Sequence, residues 1–325
     1  MKPSDERFLI TGAMGCLGAW VIRHLVTQGA TVIASDLSTD PVRPRLLMSD
    51  SELQQVQWEA LDVTDTAAVA SLVKKNRINR IVHLAGLQIP FCKANPPLGA
   101  AVNVIGTINV FEAAREHGVT GLSYASSAAA FGTPDMYETP VADDALVKSS
   151  NLYGVYKHAN EESARVYWQD WQVGSIGLRP YNVYGVGRDQ GLTSDVAKSI
   201  LATAAGQSYN IRYRGAVTLQ HAKDVAAIFI ACARAELQGA RVCNLRNDVT
   251  TIESFIDQLK SVEPSADVTC SGNELPFPSD YCDAGLREIL GEVPHTPLPQ
   301  AIAEDLALYR DLVAAKAIDL AQLDV

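Results

Sequence analysis

The segment Phe8-Leu-Ile-Thr-Gly-Ala-Met-Gly-Cys-Leu-Gly18 limits the fold more than any other part of this chain. It sets Gly12, Gly15 and Gly18 directly after a short apolar run and at the start of a helical pattern. Glycines in such a turn let the backbone bend tightly and approach a pyrophosphate, whose charge meets the helix N-terminal N–H groups. An ordinary strand-to-helix turn has the same triplet, so the rest of the sequence must decide. Asp36 closes the next apolar run, where a carboxylate would accept the hydroxyls of an adenosine ribose and repel a 2′-phosphate. Together these features predict a site for NAD rather than NADP, with Gly12, Gly15, Cys16, Leu17 and Gly18 at the pyrophosphate.

Short β-branched or apolar runs recur at Phe8–Thr11, Thr31–Ser35, Val56–Glu59, Ile81–Leu84, Gly121–Ala125 and Gly174–Leu178. Between them lie the helical patterns Cys16–Gln28, Thr66–Asn76, Pro97–His117 and Leu152–Trp171, the last opened by the capping cluster Ser149-Ser150-Asn151. Alternation of this kind predicts an α/β fold, a Rossmann-type doubly wound parallel sheet. After Pro180 the pattern loosens through Gly185, Gly187 and Gly191, and prolines crowd the last third, which predicts a smaller C-terminal substrate lobe. A helix over Ala222–Ala235 and a strand over Arg241–Leu245 return to the main sheet. The expected division is therefore 1–181 and 219–248 for the cofactor domain, with 182–218 and 249–325 for the lobe.

With 325 residues and 47% hydrophobic content, the chain can bury a full core. Its formal charge of −10, with no run of Lys or Arg, would repel a phosphate backbone, so no nucleic-acid partner is expected. Residues Met1 to Arg7 are polar, the apolar run after them is broken at Thr11 and Gly12, and no membrane-spanning stretch is expected. The six cysteines form no Cys-x-x-Cys pair and have no histidines at ligand spacing, which predicts reduced thiols, no metal and a cytoplasmic setting. Cys16 reads as a small buried filler of the glycine loop.

Tyr153-Gly-Val-Tyr-Lys157 places a phenol and an ammonium one helical turn apart. A phenol is a poor base near neutrality, but a neighbouring ammonium and a positive nicotinamide ring both favour the phenolate, so Tyr153 becomes a usable base. Tyr156 should point away from that pairing. Ser126 and Ser127 end the fifth strand at the carboxyl edge of the sheet, where open α/β folds hold their ligands. Asp62 and Val63 are expected at the adenine end, and Leu84, Ala85 and Gly86 beneath the nicotinamide-side ribose. His83, inside an apolar run, reads as a packed strand residue.

Through Thr-Gly-x-x-Gly-x-x-Gly at 11–18, Asn103-Val-Ile-Gly-Thr107, Tyr124-Ala-Ser-Ser-Ala-Ala-Ala-Phe-Gly132, Tyr153-x-x-x-Lys157 and Leu178-Arg-Pro-Tyr-Asn-Val-Tyr-Gly185, the chain resembles the extended short-chain dehydrogenase/reductases, the NAD-dependent epimerase/dehydratase family. The resemblance covers nearly the whole length. It implies that Ser127 orients the substrate, Tyr153 is the acid/base and Lys157 binds the nicotinamide ribose. It further implies Asn103 among the cofactor contacts, with Pro180, Tyr181, Asn182 and Val183 near the carboxamide. A homodimer is implied through the helices Pro97–His117 and Leu152–Trp171, with Val166, Tyr167, Trp168 and Trp171 as interface candidates.

The chain also departs from the family pattern. Ala128 and Ala129 stand where dehydratases carry an Asp-Glu pair. Val217 stands where nucleotide-sugar members carry a diphosphate-binding Arg, and Ser271-Gly-Asn-Glu274 offers no second one. Arg188, Arg212 and Arg214 would restore that charge only if their loops fold inward, and Arg188 pairing with Asp189 is the competing reading. The expected substrate is accordingly a small carbohydrate-like molecule (a free sugar, sugar acid or polyol acid) met by Gln88, Ser126, Ser127, Asn182, Arg188 and Thr193. The expected activity is NAD-dependent oxidation of a hydroxyl or hemiacetal carbon. The alternatives are a nucleotide-sugar epimerase that retains its NAD, and a non-catalytic NAD sensor, against which Tyr153 and Lys157 argue.

Overall fold

A computed structural model describes residues 5–324. The chain lays down β1 (Arg7–Thr11), β2 (Thr31–Asp36), β3 (Gln57–Ala60), β4 (Arg80–His83), β5 (Gly121–Ala125) and β6 (Ser175–Arg179). With a later strand, β10 (Ala240–Asn244), they form a seven-stranded parallel sheet ordered β10-β6-β5-β4-β1-β2-β3. The order reverses between β1 and β4, which opens a crevice at the carboxyl ends of those strands. Observed strand ends differ from the sequence expectation by about one residue, the ordinary ambiguity of element boundaries.

Alternation along β1 builds both layers. Phe8 and Ile10 enter the core formed with the helices Cys16–Thr27 and Ala222–Arg234. Leu9 enters the opposite core, with Val69, Leu72, Phe111 and Tyr167 from the helices Thr66–Lys75, Gly106–His117 and Leu152–Trp171. The last of these helices starts where its sequence signal lies, the Asn151 side chain accepting the Gly154 N–H at 3.0 Å.

The Pro97–His117 pattern needs one correction. The chain is α-helical over Pro96–Ala100, passes through a π turn at Ala101–Ile105 and resumes as α-helix over Gly106–His117. The Asn103 carbonyl is engaged by the side chains of Thr107, at 2.7 Å, and Asn160, at 2.9 Å, which intrude on the regular ladder. By length and composition this 22-residue run also meets the threshold for crossing a membrane, contrary to expectation, although half of it is buried inside the protein.

The remaining strands belong to two small sheets. β7 (Asn182–Tyr184), β9 (Ala216–His221) and β11 (Asp248–Thr251) form one, and β8 (Tyr209–Ile211) pairs with β12 (Val268–Cys270) in the other. The helices Asp195–Ala204 and Leu298–Ala314 pack together beside them. β9 runs directly into the helix Ala222–Arg234, so the expected boundary between 218 and 219 falls inside a strand.

Candidate active site

A cleft of about 540 Å³ runs along the carboxyl ends of the central strands. Its floor is the glycine loop. Gly12 has φ +70°, and a Cβ there would lie 2.6 Å from the Ala85 nitrogen, so only glycine permits this approach. Gly15 caps the helix that begins at Cys16, with no side chain taking up the first N–H groups. Burial pushes the Cys16 thiol up to about 12, leaving it protonated and inert. Gly12, Gly15, Cys16, Leu17 and Gly18 all line the cleft.

Asp36, the last residue of β2, is held against that loop. One carboxylate oxygen accepts the Met14 N–H at 3.0 Å and the other accepts the Leu37 N–H at 2.8 Å. Asp62 accepts both the N–H and the hydroxyl of Thr64, and with Val63 it forms the same end of the cleft. His83 is packed as its sequence context suggests. Its Nδ1 lies 2.6 Å from Thr11 Oγ1 and its Nε2 lies 3.0 Å from Thr107 Oγ1. Burial, with the Lys157 charge adding to it, pushes His83 down to about 3, so it stays neutral.

At the other end the cleft is walled by Leu84, Ala85, Gly86, Gln88, Ser126, Ser127, Tyr153, Lys157, Pro180 and Val183. Lys157 donates to the Ala125 carbonyl at 2.8 Å, and its nitrogen stands 5.5 Å from the centre of the Tyr153 ring. Burial lowers Lys157 to about 8, against the raising influence of Cys92 and Glu161. Burial raises the Tyr153 phenol, while a hydrogen bond with the Ser127 side chain and the charge of Arg188 pull it back down. Ser127 itself starts a short turn, its hydroxyl accepting the Ala129 N–H at 3.1 Å. Tyr156 turns away and donates to the Pro96 carbonyl.

Three expected site residues stand differently. Asn182 is fully buried outside the wall and donates to the Tyr213 hydroxyl at 2.9 Å. Asn103 is also behind the wall, but its Oδ1 has no partner and would lie 2.7 Å from a Cβ on Gly86. Ser126 lines the cleft, yet its hydroxyl donates to Glu161, which in turn is held bidentately by Arg179 at 2.8 Å. That Ser126 hydroxyl therefore braces β5 against the Leu152–Trp171 helix.

The arginines separate clearly. Asp189 pairs with Arg43 at 2.7 Å, not with Arg188. Arg188 lines the cleft beside Thr193, to whose hydroxyl it donates at 3.3 Å, and its buried Nε has no partner. Arg212 is bound to Asp195 at 2.7 Å, and neither it nor Arg214 reaches the wall. Val217 is buried within β9. Sequence reasoning missed Leu192 and Phe277, which line the cleft together with Tyr181 and Arg188. The Tyr181 hydroxyl is buried without a partner, and Phe277 arrives from the C-terminal segment between two prolines.

A family model described as the NAD dependent epimerase/dehydratase family matches residues 8–245. The chain belongs to that family. Relatives of this family member include the UDP-glucose 4-epimerase of Mycolicibacterium smegmatis, 28% identical across 94% of this chain and 99% of that protein. The human UDP-glucose 4-epimerase is 27% identical across 84% of each chain. Among solved structures, a partial-consensus L-threonine 3-dehydrogenase superposes with a TM-score of 0.82 at 21% identity, covering 94% of this chain and 99% of that one. The UDP-glucose 4-epimerase of Thermotoga maritima, solved with UDP-glucose, gives 0.81 at 19% identity with the same coverage. As a family member the protein is an NAD-dependent dehydrogenase or epimerase of the extended short-chain type. The residues fit that cofactor: the glycine turn leaves bare backbone at the cleft floor, Asp36 closes β2, and the orphaned Asn103 oxygen lies against bare Gly86 beside Lys157.

Proposed function

We propose that this protein is a dehydrogenase that oxidises a hydroxyl or hemiacetal carbon of a small carbohydrate-like acid. The observation that carries the reading is Arg188, the one arginine of the three candidates that reaches the cleft, with its Nε unpartnered. One guanidinium matches one carboxylate. A buried diphosphate would require compensating charge that Val217, Arg212 and Arg214 do not bring to this wall. Ala129, on the wall, and Ala128, behind it, offer no acid for expelling a hydroxyl.

Bound NAD would supply the hydride acceptor. Tyr153 takes the carbinol proton at its phenolic oxygen, and Ser127 holds the reacting oxygen in line with it. Burial disfavours the phenolate, so the Ser127 hydrogen bond and the Arg188 and Lys157 charges must offset that cost. Lys157 and the loop glycines Gly12, Gly15 and Gly18 hold the cofactor, with Asp36 on the adenosine ribose. Gln88, Arg188 and Thr193 hold the substrate. In this reading the cofactor domain is 1–181 with 219–248, and 182–218 with 249–325 supply the covering lobe.

The relative from M. smegmatis favours a second reading, a UDP-sugar epimerase that keeps its NAD bound. Incubation with NAD and a panel of sugars, sugar acids and nucleotide sugars, followed by nicotinamide absorbance, separates the two. Net NADH with a sugar acid is expected. Interconversion of a UDP-sugar without net NADH would overturn the small-substrate reading.

The reading includes a homodimer through the helices Pro96–Ala100, Gly106–His117 and Leu152–Trp171, whose outer faces expose Leu98, Val155, Val166 and Trp171. Tyr167 leaves that set, because it stacks on Phe111 inside the protomer.

A further inference from the structure

The loop that follows β7 is sewn to the glycine loop by residues that neither the cofactor fingerprint nor the proposed chemistry uses. Arg43, in the loop after β2, donates from one nitrogen to the Met14 carbonyl at 2.7 Å. Its other terminal nitrogen reaches both oxygens of Asp189, at 2.7 and 2.8 Å. Two residues before the last bridge residue's neighbour Arg188, the Val186 carbonyl accepts the Trp20 indole N–H at 3.0 Å. One guanidinium thus ties three separate stretches of chain together at the cleft. Gly187 and Gly191, at φ +91° and +99°, flank Arg188 and Asp189 in the backbone region that favours glycine.

Neighbouring residues of this stretch face different things. Arg188 lines the cleft, and Asp189 holds Arg43. The ion pair keeps about a quarter of each side chain exposed, at 23% and 27%, so water can replace it when it opens. The 186–189 stretch lies against the helix that follows the glycine loop, the Val186 carbonyl facing both the Trp20 indole and the Cys16 thiol.

We propose that the Arg43–Asp189 pair is a latch that fastens the 186–189 stretch, and with it Arg188 on the cleft wall, to the glycine loop, so that its opening sets how fast the nicotinamide cofactor leaves. Arg43 and Asp189 are positioning residues; they act through the stretch they fasten. The proposal rests on NAD occupying the cleft and is independent of which substrate is oxidised. A latched cofactor is retained between turnovers, and an unlatched one exchanges.

The test is NADH dissociation measured by fluorescence after mixing the preformed complex with excess NAD, without substrate. Arg43→Gln and Asp189→Asn should each speed release about tenfold, and the double variant should be no faster than the faster single one. The wild-type rate should rise with ionic strength more steeply than that of Asp189→Asn, since salt screens the pair. Release within threefold of wild type in both folded single variants would overturn the latch, as would effects that multiply in the double variant. Should neither variant fold, the wild-type rate decides: a rise with salt supports the latch and a flat rate overturns it. A failed substrate screen would leave this measurement untouched.

Discussion

Lys157 shows how one side chain couples ionisation to stability. Its folded-state pKa, about 8, lies below that of an unfolded lysine, so the folded protein holds fewer protons between those two values. Stability is therefore diminished below about pH 8 and recovers as pH rises through the window, at roughly 1.4 kcal/mol per pH unit for this one group. Lys157→Met should flatten that rise; thermal denaturation of the cofactor-free wild type and variant from pH 7 to 10, compared at each pH, would show it. For the chemistry, Tyr153→Phe should lower kcat by roughly 10²- to 10⁴-fold, the usual worth of a positioned acid/base. NAD affinity, measured by fluorescence titration, should change little, since only the phenolic oxygen is lost. Tyr153, Lys157 and Asp36 were legible because each lies within a few residues of an element boundary that hydrophobic pattern alone locates. Arg43 was not legible: its partner Asp189 lies 146 residues away, and no local periodicity links them. Phe277 was missed for the same reason.

At the scale of elements, the seven strands and five helices read from the sequence recur in the structure, most with shifted ends, while the π turn within Pro96–His117 left no trace in the pattern. Its cause is side-chain chemistry. Asn103 donates to the Gly99 carbonyl at 3.0 Å and the Leu87 carbonyl at 3.2 Å, and none of these bonds alters the spacing of apolar residues. Asn103→Ala should cost about 0.5–1.5 kcal/mol by removing the amide's hydrogen bonds to the Gly99 and Leu87 carbonyls, a change that urea denaturation would register. Cofactor affinity should fall with it, because Gly86 loses the group behind it. The small sheets were illegible for a different reason. β7, β8 and β12 have three residues each, too few for alternation to declare itself.

For the whole molecule, sedimentation at micromolar concentration should give a dimer, and Val155→Glu or Trp171→Glu should shift it to monomer without loss of helicity. A wild-type monomer would remove the interface from the proposed reading. The order of the sheet also carries a consequence for biosynthesis. Its outer strand β10 comes from residues 240–244, whereas Phe277 and the helix Leu298–Ala314, which covers Asp195–Ala204, are made afterwards. Every strand of the seven-stranded sheet is therefore synthesised before Phe277, the residue that closes the cleft from the C-terminal segment. In that interval the nascent chain has its glycine loop and Asp36 but no finished roof.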